Sequence, residues 1–295
     1  MTLKGFSHGW WGAALALMLP GYAFAGDGQP KDWQIGFQPS VTAIADGVHS
    51  FHNLLLVLIT AIVVLVLALL AWVAIRYNAG SNPTPSRNSH NTTLEVAWTV
   101  VPVLILLVIA IPSFRLLYAQ YDFPKADLTI KATGHQWYWS YNYPDQGGFN
   151  FDALMIEEAD LKPGQPRLLA TDNEVVVPVN KTVHVLLAAD DVIHNWAVPA
   201  FGLKMDAVPG RVIRVWFNAR ETGTYYGQCS ELCGERHAFM PIQVRVVTDQ
   251  EFAAWIEDAK KKFAANASPA PSLASATHDQ PVAQAATQVA AAEQQ

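Results

Sequence analysis

Cysteine is nearly absent from this 295-residue chain, which has only Cys229 and Cys233. No Cys-x-x-Cys-His occurs, and that argues against a covalently attached c-type haem. Charge is scarce at 15% of residues, and the basic excess that nucleic acid demands is missing, because 19 Lys and Arg stand against 25 Asp and Glu for a net charge of −6. A nucleic-acid partner is excluded on that ground. Bulky side chains are few after residue 263, where Ala, Gln, Pro and Ser dominate, and 264–295 is expected to be a disordered tail. What the chain does have is apolar surface. At 51% hydrophobic it is too greasy for an ordinary soluble protein and too polar for a bundle buried wholly in a membrane. A few spans plus one water-exposed domain fit that balance.

The apolar residues fall into runs. Residues 1–25 read as a signal peptide: Lys4 gives a positive start, Trp10–Leu19 an apolar stretch too short to span, and Ala23-Phe24-Ala25 a small-x-small cleavage site. Residues 26–53 form an external N-terminal segment. Leu54–Ile75 is 22 residues without a charge, enough to cross a bilayer. A second span covers 94–118, its apolar core running from Val96 to Phe114 between Glu95 and Arg115. Pro102 and Pro112 inside it are tolerated in membrane helices. The loop between the spans, 76–93, carries Arg76 and Arg87 and no acid before His90. Basic short loops stay in the cytoplasm, so the N-terminus and everything beyond residue 118 lie outside. Thr92-x-x-Glu95 reads as a capping box at the start of the second span.

From residue 119 to 247 the helical period stops. Short β-branched or alternating runs appear at Leu128–Thr133, Gln136–Tyr143, Glu174–Asn180, Thr182–Leu187, Val212–Phe217 and Met240–Val247, punctuated by Pro, Gly, Asn and Asp. Strands at such spacing predict a sandwich or barrel. Residues 248–263 then read as a helix, capped by Thr248 with Glu251 and striped with Phe252, Ile256 and Phe263.

Both cysteines lie in one short stretch, GQCSELCGERHAFMP, with His237 and Met240 close behind them. Two cysteines four apart in an exported domain usually form a disulfide. A disulfide, however, needs neither His237 nor Met240, nor His194 in a separate loop, DDVIHNW, between strands. Zinc takes thiolate and imidazole but has little use for a thioether, whereas all three together suit copper. A mononuclear blue site needs one cysteine, and this chain has one too many. Two sulfurs can bridge two coppers, leaving one histidine for each metal, Met240 as a weak ligand for one, and a backbone carbonyl between the cysteines for the other.

The stretch Cys229–Met240 with His194 upstream resembles the CuA motif of cytochrome c oxidase subunit II, in particular the bacterial aa3 type. The likeness extends to GHQWYWSY at 134–141, LKMDAVPGR at 203–211 and the order of signal peptide, two spans and external domain, over about residues 35–260. It implies a two-helix transmembrane hairpin followed by an all-β cupredoxin-like Greek-key barrel, in the bacterial inner membrane with the C-terminal domain in the periplasm. It also implies two copper ions bridged by Cys229 and Cys233, with His194 and His237 as terminal ligands and Met240 and the Glu231 carbonyl as weak ones. The Glu231 carboxylate is expected at a Mg or Mn ion on the border with subunit I. Trp137 is expected to admit electrons from cytochrome c, and Glu95 to stand at the mouth of a proton channel. The implied partners are oxidase subunits I and III, cytochrome c and the lipid bilayer.

The donor side has a charge signature. From 119 to 249, 16 acids stand against 11 bases, net −5, which would steer a basic partner. Asp145, Asp152, Glu157, Asp172 and Asp191 are candidate members of that patch. Three other readings fit less well. A tethered thiol-redox protein should show an α/β pattern, a quinol-oxidase subunit II should lack the cysteines and His194, and the copper domain of nitrous oxide reductase should lack the two spans.

Overall fold

The computed structural model describes residues 28–263. The signal-peptide expectation and the whole of the expected tail lie outside them.

Two long helices come first, α1 (Ala43–Arg76) and α2 (Thr92–Tyr121), both long and apolar enough to cross a membrane. At 1.5 Å per residue the 34 residues of α1 extend about 51 Å, well beyond a bilayer core of about 30 Å. The helix starts eleven residues before the charge-free run at Leu54 because its first turns pack on protein. Thr42 caps it, accepting a hydrogen bond from Ala45 N, and donates its hydroxyl to Phe201 O at 2.8 Å. Ile44 and Ala45 are buried in the β-domain core. Polar residues such as Asp46, His49 and His52 are tolerated in that stretch, so hydropathy marks only the lower part of the helix.

The cap of α2 corrects the sequence reading by one residue. Asn91, not Thr92, is the N-cap, and its side chain accepts from Leu94 N. The Glu95 carboxylate reaches back to accept from Asn91 N at 3.3 Å.

Ten strands follow, β1 (Leu128–His135), β2 (Tyr138–Asn142), β3 (Asn150–Ala153), β4 (Val175–Pro178), β5 (Thr182–Ala189), β6 (His194–Val198), β7 (Leu203–Ala207), β8 (Ile213–Asn218), β9 (Gly223–Cys229) and β10 (Pro241–Val247). They form two five-stranded sheets, ordered β3-β2-β1-β5-β8 and β4-β10-β9-β6-β7. This is the two-sheet β-domain of a cupredoxin-like fold. Strands β1 and β5 pair in parallel, as do β10 and β4, and the other neighbours are antiparallel. In β1 burial alternates with the pleat, Leu128, Ile130, Ala132 and Gly134 facing inward. The aromatic residues fill the core: Trp139, Tyr141, Tyr143, Trp196, Phe201 and Phe217 are all buried. Most of their polar tips are paired, as Trp196 Nε1 donates to Tyr141 Oη at 3.3 Å and the Tyr143 hydroxyl bridges the N and O of Val176, whereas Trp139 Nε1 is buried without a hydrogen-bond partner.

Four strands were not legible as runs: β3, β6, β7 and β9. In particular, His194 opens β6 rather than lying in a loop, and only Asp190 to Ile193 separate β5 from β6. Helix α3 (Asp249–Lys262) closes the domain. Its N-terminus carries a reciprocal capping box between Thr248 and Glu251, and Ile256 and Ala259 face the sheet.

Candidate metal centre

Adjacent strands of one sheet bring the donors together. Strand β9 ends at Cys229 and β10 begins at Pro241, and the connection between them carries Glu231, Cys233, His237 and Met240. The hairpin is held at its neck by Cys229 N donating to Met240 O at 3.3 Å. On the other side of β9 lies β6, with Trp196 opposite Cys229, which sets His194 beside the cysteine.

The sulfur atoms of Cys229 and Cys233 are 3.8 Å apart and both thiols are free. Nδ1 of His194 is 3.9 Å from Sγ of Cys229, and Nδ1 of His237 is 3.5 Å from Sγ of Cys233. Sδ of Met240 is 3.5 Å from Sγ of Cys233, and the Glu231 carbonyl oxygen is 3.4 Å from Sγ of Cys229. Donors bound tetrahedrally to one ion at about 2.0–2.3 Å stand about 3.3–3.8 Å apart, so four of these five spacings fall within shared coordination and the 3.9 Å of His194 lies just beyond it. His194, Cys229 and Cys233 form the tight trio, their ligand atoms within 4.8 Å of one another and all three residues buried. Met240 is buried beneath them. His237 is half-buried and close to Cys233, while the Glu231 side chain points to solvent. Two sulfurs, two imidazole nitrogens, a thioether and a carbonyl are a soft donor set with copper chemistry.

The thiols differ in acidity. Burial pushes both up, but for Cys229 hydrogen bonds to the His194 ring and to backbone groups outweigh it and lower its pKa to about 7. Cys233 is pushed up to about 12 by burial and by the neighbouring Cys229 sulfur. The first thiolate therefore forms readily, and the second is disfavoured until a cation arrives.

Support for the donors comes from residues that the sequence did not single out for it. The Asp191 carboxylate accepts from His194 Nε2 at 2.8 Å and from the backbone N of Gln136 at 2.6 Å. Gly134 presses on the other face of the His194 ring, where a Cβ would stand 2.7 Å from Cδ2. Trp139 meets that ring edge-on at 5.9 Å between centroids. Gln136 Nε2 and Trp137 Nε1 both donate to the carbonyl of Cys233, at 2.8 and 3.2 Å. The spacing Asp-x-x-His was a signal for the first of these contacts. The others pair residues about sixty to a hundred positions apart in the chain and had none.

Trp137 is thus half-buried with its ring against the ligand loop, in contact with Gly234. Beside it the pKa of the Tyr138 phenol is pushed up by burial and then by the charges of Asp152, Asp190 and Asp191. All the expected patch members are also tied into structure, Asp191 as described above and Asp152 by accepting from the Ser140 hydroxyl at 2.6 Å. Asp145 accepts from Thr129 N, Asp172 from Leu154 N, and Glu157 pairs with Arg236 at 3.0 Å. Glu95 is remote from all of this. It lies 26 residues before the end of α2, about 39 Å along the axis.

A two-helix hairpin bearing a two-sheet β-domain, with this sulfur–imidazole cluster at one rim, defines a membrane-anchored cupredoxin-like protein. Comparison with known families places it more closely. Residues 30–116 match the transmembrane domain and 128–247 the periplasmic domain of cytochrome c oxidase subunit II. A probable cytochrome c oxidase subunit 2 of Rickettsia bellii is 50% identical over 250 residues, covering 85% of this chain and 92% of that protein. Cytochrome c oxidase subunit 2 of Cereibacter sphaeroides is 45% identical, covering 79% and 82%. A crystal structure of the periplasmic domain of subunit II from Bradyrhizobium japonicum is 64% identical, with a TM-score of 0.45, covering 48% of this chain and 99% of that one. The chain belongs to the cytochrome c oxidase subunit II family, whose members are subunits of an oxidase enzyme.

Proposed function

We propose that this chain is the electron-accepting subunit of a haem-copper terminal oxidase. On this reading it takes electrons from cytochrome c at a dinuclear CuA centre and hands them to haem in subunit I, where oxygen is reduced to water with proton pumping. The observation that carries the reading is the set of six donor groups from Cys229, Glu231, Cys233, His237, Met240 and His194, each within 3.9 Å of a neighbouring donor. Two copper ions held there would supply a one-electron carrier in which the charge is shared over both metals.

The residues of the chain do the rest. Cys229, Cys233, His194 and His237 would hold the copper, with Met240 and the Glu231 carbonyl as weaker donors. The rigid β-sheets hold these donors in place between redox states, which keeps reorganisation small. Trp137 is the entry point: its indole nitrogen is bonded to the carbonyl of a bridging cysteine, giving a short covalent and hydrogen-bonded route from the surface to the sulfur. Asp152, Asp190 and Asp191 around Tyr138 attract a basic donor to that spot. The exposed Glu231 carboxylate serves a Mg or Mn ion at the subunit I border, and Glu95 collects protons at the cytoplasmic end of α2. The hairpin crosses the bacterial inner membrane twice, against subunits I and III, and the β-domain stands in the periplasm.

The test is stopped-flow mixing of the assembled oxidase with reduced cytochrome c. The visible band of the subunit II centre should be reduced before the haem. In Trp137→Gln the spectrum at rest should be unchanged and this reduction strongly slowed, with the wild-type rate falling as salt rises. Normal reduction in a correctly assembled Trp137→Gln enzyme would return that residue to core packing.

A further inference from the structure

Between the β-domain and α1, the described chain begins with a strap, residues 28–42, that is fixed at both ends. At one end Gly28 O accepts from Tyr226 N at 2.9 Å. At the other, Val41 N donates to Ala200 O at 3.1 Å, and Val41 O accepts from Arg220 N at 3.0 Å. The middle of the strap has left the domain. Gln34 N donates to Lys31 O in a turn with Trp33 at φ 60°, and Trp33 and Ile35 are 97% and 103% exposed, the most exposed of the large apolar residues described.

Phe37 shows where the strap goes. Its ring stacks on His49 at 5.0 Å and meets His52 edge-on at 4.6 Å. These residues lie six and nine positions past the start of α1, about 9 and 14 Å down its axis. The charge-free run begins two residues beyond His52, at Leu54. The chain therefore descends along α1 to the edge of the lipid-facing surface and climbs back to Val41. Phe37 is carried to that edge, and Trp33 and Ile35 stand exposed four and two residues before it.

We infer that residues 33–37 form an interfacial membrane contact, with Trp33 and Ile35 seated in the outer leaflet at the level of the lipid headgroups. Two observations select lipid as the occupant. Phe37 packs on His49 and His52 just above the charge-free run of α1, and Trp33 and Ile35, four and two residues before it, are almost fully exposed. The leading residue is tryptophan, the side chain enriched where membrane meets water because its ring is apolar and its N–H is wet. Anchored at both ends, the strap would act as a second foot. It would fix the height of the β-domain above the bilayer, where the hairpin alone leaves α1 free to tilt.

The inference rests on the hairpin spanning the membrane, and the test separates the two. p-Benzoylphenylalanine is placed singly at position 33, 34, 35 or 65 of the chain in the assembled oxidase in native membranes, irradiated, and the adducts are read by mass spectrometry. Lipid adducts are expected at 33 and 35, with few at 34, and at 65 inside α1. Adducts at 33 and 35 to another oxidase subunit would overturn the lipid contact, as would labelling no greater than at 34. Loss of lipid adducts at 65 would strike at the hairpin instead. A readout independent of the probe uses wild-type and Trp33→Phe oxidase in phosphatidylcholine vesicles brominated near the headgroup. The fluorescence component lost on Trp33→Phe should be the quenched one, and an unquenched component would overturn the inference.

Discussion

The carboxylate of Asp191 lies 2.8 Å from Nε2 of His194, on the side of the ring away from Cys229. As an acceptor it holds the proton on Nε2 and leaves the lone pair of Nδ1 facing the sulfur. Burial, the first influence on His194, would lower its pKa, but hydrogen bonds with Cys229 and Asp191 outweigh it and raise it. Asp191→Asn keeps a hydrogen-bonding partner and removes a negative charge. Both coppers should remain and the reduction potential should rise, because the more positive oxidised centre loses a stabilising charge. Asp191→Ala also frees the ring and should weaken copper binding by about 10–100-fold. A redox titration of each variant decides it, and an unmoved potential in Asp191→Asn would leave the contact without influence on the site.

Met240 and Cys233 are both buried, with their sulfur atoms 3.5 Å apart, yet their roles differ. Met240→Leu should retain copper, because a weak axial thioether tunes a site without holding it together. Its potential should shift. Cys233→Ser removes one of the two thiolates that would hold the metal and should lose it. Equal copper loss in the two variants, read by elemental analysis, would contradict this ranking.

The tolerance at Gly134 should be very small. A methyl group there would stand 2.7 Å from Cδ2 of His194, with Trp139 behind the ring. Gly134→Ala should cost about 1–3 kcal/mol by overpacking and displace the ring from Cys229. Denaturant unfolding of the copper-free chain checks the first part, and copper affinity checks the second.

The sulfur–imidazole cluster was legible in the sequence because sulfur and imidazole are rare and their spacing is tight. Cys229 ends β9, and Cys233, His237 and Met240 lie in the connection that follows it. The apolar spans were legible for a similar reason, as long charge-free runs. What was not legible depends on pairing between distant segments. Strand β6 is buried at every position, HNWAV, and carries two polar residues, so no alternation marks it. Strand β9, GTYYGQC, has a single β-branched residue, two glycines and no clean period. The ring of contacts from Asp191, Gly134 and Gln136 exists only once β1, β6 and the ligand connection meet. The upper third of α1 was missed because its burial comes from the β-domain.

Glu95 separates two roles. It accepts a hydrogen bond from Asn91 N, so capping is a sufficient account of its place in the structure. Glu95→Gln preserves an acceptor there and should cost at most a few tenths of a kcal/mol. If Glu95 also collects protons, that variant should slow oxygen uptake while reduction of the copper centre stays fast. Oxygen uptake at the wild-type rate in Glu95→Gln would leave capping as its whole function.

The central claim is that six donor groups around Cys229 and Cys233 hold two metals as one redox unit. The most direct measurement is copper stoichiometry of the purified full-length chain, taken together with its electron paramagnetic resonance spectrum. Two coppers per chain and a multi-line signal from one electron shared equally by both nuclei are expected. One copper per chain, or a colourless zinc-loaded site, would contradict it.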